Sequence, residues 1–146
     1  MLSVEGMAQA TDGFLVMVAM TDDGGPITSV PMTLQPVRAD GTMSAGAAVD
    51  LGTPVTSIRN MAASGPAGEF AIATVDSSTQ VRVQRYTEAG TTIGAAIRMN
   101  AFPSSPTSVP RCCPVVAYGA GRFWVAWVDD RNAAPEIYVN YATCAY

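Results

Sequence analysis

The chain has 146 residues, 49% of them hydrophobic, with eight basic residues, all Arg, against twelve Asp and Glu, and no His. That balance argues against nucleic-acid binding through a basic patch, and the lack of His removes Ser-His-Asp and Cys-His catalysis and His-bearing zinc sites from within the chain. The length is that of one domain with a substantial core, and the longest apolar run, Phe14 to Met20, is strand-sized, far short of the roughly eighteen residues of a membrane span.

The chain opens with MLSVEGMAQA, which has neither the basic nor the apolar region of a signal peptide. The Thr/Ser/Gly/Pro-rich style is nonetheless extracellular, so the leader of a secreted chain is expected to lie outside this sequence. VEGMAQA reads as a first short strand and GFLVMVAM as a second, closed by the turn TDDGG. MTLQPV from Met32 is a third, followed by the turn RADGT and a small-residue strand, SAGAAV (Ser44 to Val49).

The same order then begins again. IRNMAAS, EFAIATV with its turn DSS, VRVQRY from Val81, the turn TEAGT and IGAAI (Ile93 to Ile97) follow one another. The alternation of apolar and polar residues with period two is that of half-buried strands, and the small residues of SAGAAV and IGAAI are expected to permit close packing. AFPSSPTSVP (Ala101 to Pro110) is expected to be an extended surface loop. CCPVVAYG, RFWVAWVDDRN and IYVNYA then supply three more strands.

Each second strand starts at a Phe (Phe14, Phe70, Phe123) and ends at an Asp (Asp22, Asp76, Asp129). The Phe spacings are 56 (70 − 14) and 53 (123 − 70) residues. The first copy is two residues longer from Phe to Asp, which predicts a bulge or a shifted register there. The turns RADGT and TEAGT stand 49 residues apart (87 − 38), as do the strands before them (81 − 32). The reading is therefore eleven strands in units of four, four and three, over about 1–52, 53–100 and 111–146. The last unit reaches only the turn where a fourth strand is due. Repeated four-stranded units of roughly 40 to 55 residues predict an all-β fold of about three antiparallel propeller-type blades, the last incomplete. A β-sandwich is the alternative.

The Gly-rich turn followed by RFWVAWVDDRN and EIYVNY resembles the β-propeller repeats of secreted bacterial proteins, including myxobacterial-type lipoproteins and sialidase-like propellers. The resemblance covers essentially the whole chain and is most specific at Trp127, Asp129, Arg131, Ile137 and Tyr138. It implies a propeller fold and a place outside the cell or on its surface. The sialidase Asp-box, S-x-D-x-G-x-x-W, does not occur in the sequence.

The Asp-led turns, Asp22-Asp23-Gly24-Gly25, Asp76-Ser77-Ser78 and Asp129-Asp130-Arg131-Asn132, offer hard oxygen ligands, but there is no D-x-D-x-D-G loop. They read as turn scaffold, with no metal and no cofactor expected. Glu5, Glu69, Glu88 and Glu136 border predicted turns, where solvent is expected to keep a carboxylate ordinary, and the Arg and Tyr residues fall at no spacing that marks a catalytic set. Trp124 and Trp127 are three apart on one strand, so period two sends them to opposite faces. One is expected in the packing and the other accessible; Tyr138 and Tyr141 cannot both be core. Trp124, Tyr138, Asp130 and Arg131 are the candidate binding residues, suited to a glycan or protein ligand.

Three cysteines, Cys112, Cys113 and Cys144, leave the disulfide state open. In an up-down-up meander the early pair and Cys144 fall on opposite edges with a strand between, beyond the roughly 7 Å Cα limit for a bridge. The expected function is a non-enzymatic extracellular module for binding or self-assembly, partnered by copies of itself or by further blades. A fragment of a sialidase-like carbohydrate-active enzyme, and a filament or surface-layer subunit, are the alternatives.

Overall fold

The structure is a computed structural model that describes residues 2–10, 13–20, 32–43, 49–50, 61–66, 68–75, 80–100, 112–130 and 133–143. Its elements are all strands: β1 (Leu2–Ala10), β2 (Gly13–Met20), β3 (Met32–Arg38), β4 (Val49–Asp50), β5 (Met61–Ser64), β6 (Glu69–Val75), β7 (Val81–Thr87), β8 (Thr92–Arg98), β9 (Cys112–Gly119), β10 (Arg122–Asp129) and β11 (Glu136–Thr143). They form three antiparallel sheets in sequence order, β1-β2-β3-β4, β5-β6-β7-β8 and β9-β10-β11. Among the described residues the division is the four, four and three read from the sequence. Among the described residues no helix is long and apolar enough to cross a membrane.

Turn chemistry explains why neighbouring strands pair as meanders. Arg38 N–H donates to Thr42 O at 2.9 Å and Gly41 N–H to Arg38 O at 2.9 Å; Thr87 N–H donates to Thr91 O at 2.8 Å and Gly90 N–H to Thr87 O at 2.8 Å. Gly41 and Gly90 have φ of 83° and 80°, the left-handed conformation that only glycine adopts at no steric cost. RADGT and TEAGT thus make the same turn. Between β9 and β10 the chain reverses through Ala120 and Gly121, both at positive φ (51° and 72°), the hand that matches strand twist in a two-residue hairpin.

The sheets stack through their first strands. β1 packs on β5, and β5 on β9, with β6 also against β9. Between the second and third sheets Ala71, Ala73, Val81 and Val83 meet Val116, Phe123, Val125, Trp127 and Ala142 in the buried core, with Val75, Tyr118 and Tyr138 at its margin. On the other face of the second sheet Phe70 stacks on Tyr86 with centroids 5.3 Å apart, and both are buried with Ile72. The second sheet is therefore covered on both faces, with β1 of the first sheet meeting it through β5 and β6. One clip holds the end of its outer strand: Asn100, buried, accepts from Val81 N–H through Oδ1 at 3.0 Å, and Met99 N–H donates to Val81 O at 2.8 Å. The Asn140 side-chain amide of the third sheet donates to Met99 O at 2.8 Å.

Two expectations are corrected. β8 does not pack closely: apart from Ile93 it is exposed, because among the described residues it is the outermost strand of its sheet. The longer segment of the first copy, Phe14 to Asp22, ends outside the described residues; β2 and β3 pair in regular register from Gly13↔Arg38 to Ala19↔Met32, and where β1 pairs with β2 the register shifts between Val4 and Gly6. Glu69 is not a solvated turn carboxylate, since it is only 18% exposed and its Oε2 accepts from Arg85 Nη2 at 2.6 Å, the cross-strand register bringing Arg85 within its reach. The loop Ala101 to Pro110, and Asp22, Asp23, Asp76, Ser77 and Ser78, lie outside the described residues.

Candidate functional site

β10 alternates strictly. Phe123, Val125, Trp127 and Asp129 are buried; Trp124 is exposed and Ala126 and Val128 are half-exposed. Strand register carries this alternation across the sheet, because residues opposite one another share a face. Trp124 faces Tyr141, Ala126 faces Val139 and Val128 faces Ile137, while Ala126 faces Val115 on the other side. The result is one apolar sheet face with no sheet over it among the described residues: Val115 is 47% exposed, Trp124 39%, Tyr141 42%, Val139 60% and Ile137 76%.

An aromatic and cationic cluster stands at one end of this face. The Trp124 and Tyr141 rings are 5.1 Å apart and tilted by 56°, within the centroid range of favourable aromatic pairs. Arg122 lies 4.2 Å over the Tyr141 ring, a cation–π contact. Trp124 Nε1–H donates to Gly119 O at 3.2 Å, which ties the indole to the end of β9. A rigid aromatic pair with a guanidinium beside it can stack on a sugar ring or on an apolar side chain.

The structure separates the expected binding residues. Trp124 is central to the open face. Tyr138 is on the opposite face, half-buried and stacked on Trp127 at 6.1 Å, with its hydroxyl donating to Glu136 Oε2 at 2.8 Å. Asp130 lies at the end of β10, where its carbonyl accepts from Ala133 N–H at 2.8 Å, and Arg131 is outside the described residues. Arg122, Tyr141, Ile137 and Val139 were not singled out as binding residues. The signal for Ile137, Val139 and Tyr141 was present in the alternation of IYVNYA, but using it needs the register that sets Tyr141 opposite Trp124.

Among the described residues no three His, Cys, Asp or Glu side chains are grouped so as to hold a metal ion. Cys112 and Cys113 begin β9, with Cys112 opposite Val128. β11 ends at Thr143, opposite Arg122 at the other end of β10, and β10 separates the two strands. Cys144 is outside the described residues. Comparison with protein-family models, curated proteins and solved structures finds no match.

Proposed function

We propose that the chain is a non-enzymatic, extracellular β-propeller module, its three sheets successive blades, that works by binding through the open face of the third sheet. The observation that carries this reading is the contiguous apolar face of Val115, Trp124, Ile137, Val139 and Tyr141, since contiguous exposed apolar patches, unlike apolar residues scattered singly, mark interaction sites. The blade assignment is supported by the meander order and by the run of first strands β1, β5 and β9. Radial repetition of four-stranded sheets around a channel brings like strands together in this way.

The face has aromatic and aliphatic groups but no acid pair, so it suits recognition rather than bond cleavage. Surface plasmon resonance and a glycan array, run with the wild type and with Trp124→Ala, test the reading. Saturable binding of a protein or glycan that Trp124→Ala abolishes without loss of fold is the expected result. Hydrolysis of aryl sialosides or other aryl glycosides by the pure chain would overturn the non-enzymatic reading.

A further inference from the structure

The two outermost sheets carry the two halves of an interface that the molecule already makes between its own successive sheets. Where the third sheet covers the second, the covered positions are the third and fifth residues of β6, Ala71 and Ala73, with their cross-strand partners Arg85 and Val83, and then Val75 with Val81. The same positions of β10 and their partners are Trp124 with Tyr141, Ala126 with Val139 and Val128 with Ile137. In the second sheet this face is buried; in the third it is open.

The complementary half is on the first sheet. The surface that the third sheet applies to the second includes the fourth residue of β10, Val125, and Ala142, the partner of Phe123. Their counterparts in the second sheet, Ile72 and Tyr86, are buried as well. In the first sheet the counterparts are Val16, fourth in β2, and Val37, the partner of Phe14. Val16 and Val37 are only half-buried, as are Thr33 and Gln35 on the same face. The first sheet therefore leaves its described residues on this face less covered than the counterparts that its successors bury.

We infer that the occupant of the open third-sheet face is a second copy of this chain, which docks the Val16/Gln35/Val37 face of its first sheet there, head to tail. The inference rests on the reading of that face as a binding surface. A heterologous contact of this kind either closes into a ring of two or more copies or continues as a filament. The fit is a matter of register: the docking face has the alternation, strand order and spacing of a face already seated on an equivalent surface. Arg122 and Trp124 at the margin replace the Glu69 and Ala71 of the internal junction.

Sedimentation velocity and light scattering on the purified chain test this with the protein alone. The wild type is expected to assemble beyond the monomer with a Kd of about 1 µM or tighter. Val139→Arg and Val37→Arg should each weaken assembly about ten-fold or more, with the circular dichroism spectrum unchanged. Ile137→Arg and Gln35→Arg are the second variants should either fail to fold. Mixing Val139→Arg with Val37→Arg decides the geometry, because one intact third-sheet face then meets one intact first-sheet face. A 1:1 complex is expected, and its absence overturns head-to-tail docking. A wild type that stays monomeric at about 100 µM overturns self-docking altogether; if such a monomer still binds a glycan or protein through Trp124, the binding-face reading survives, and if it binds nothing both fall.

Discussion

The Arg122 guanidinium lies 4.2 Å over the ring of Tyr141, and the residues at the same strand positions one sheet earlier, Glu69 and Arg85, form a 2.6 Å ion pair. One place in the sheet therefore joins a strand-initial side chain to one two positions along the neighbouring strand by two different attractions. Burial sets their weight. Arg85 is 10% exposed beneath the third sheet, whereas Tyr141 is open. Glu69→Gln is expected to cost about 2 to 3 kcal/mol, because it leaves a buried guanidinium without its carboxylate. Arg122→Gln should cost less than about 1 kcal/mol, as exposed cation–π contacts do. Urea unfolding of both variants checks the contrast, and equal losses would refute it.

The two tryptophans of β10 should divide stability from binding. Trp127, 4% exposed, is in the core between the sheets, so Trp127→Ala is expected to cost about 3 to 5 kcal/mol. Trp127→Phe should cost only about 1 kcal/mol, because the indole N–H it removes makes no hydrogen bond among the described residues and only packing is lost. Trp124→Ala should change stability by less than about 1 kcal/mol and weaken assembly or ligand binding. Chemical denaturation set beside sedimentation separates the two roles.

Ala120 occupies a left-handed position, φ 51°, followed by Gly121 at 72°. A left-handed alanine costs about 1 to 2 kcal/mol that asparagine largely avoids, and Asn-Gly is the favoured pair for this turn. Ala120→Asn is therefore expected to raise stability by about 0.5 to 1 kcal/mol, read as a higher urea midpoint with an unchanged slope.

Gly65 is a position where space rather than backbone freedom excludes a side chain. A Cβ there would lie 2.5 Å from Phe123 Cζ and 3.2 Å from Glu69 O. Phe123 is fully buried, so its ring cannot retreat without opening the junction between the second and third sheets. Gly65→Ala is expected to cost about 1 to 3 kcal/mol. Phe123→Leu in the same chain should recover part of that loss, measured by a double-mutant cycle.

The Asp40 carboxylate accepts from the Thr42 hydroxyl at 2.6 Å and from the Thr42 backbone N–H at 2.8 Å. Those bonds, the hydroxyl first, hold its pKa below the ordinary carboxylate value. A depressed folded-state pKa adds stability that is present above the unfolded-state value and is lost as pH falls through the folded one. The protection factor of the Thr42 amide, its exchange rate relative to that of the unstructured chain at the same pH, should therefore fall in that acidic window, and Asp40→Asn should remove that change. Carboxyl NMR titration of Asp40 measures the shift directly.

Strand positions, turn positions and the grouping into four, four and three were legible in the sequence because each rests on local physics. Period-two alternation marks a strand whose one face is covered, and the Gly of RADGT and TEAGT supplies a conformation few other residues accept. The split between Trp124 and Trp127 followed from the same alternation, which says that two faces differ but not which face is covered. Tertiary structure decided that. The Val81 and Val83 face of β7 is buried because a third sheet lies on it, and the like face of β11, with Ile137 and Val139, is open because among the described residues no sheet does. The partner of Glu69, the pairing of Trp124 with Tyr141 and the separation of Trp124 from Tyr138 were likewise settled by cross-strand register and by stacking between sheets. Both bring together residues far apart in the chain, through contacts that no single strand's pattern of side chains encodes.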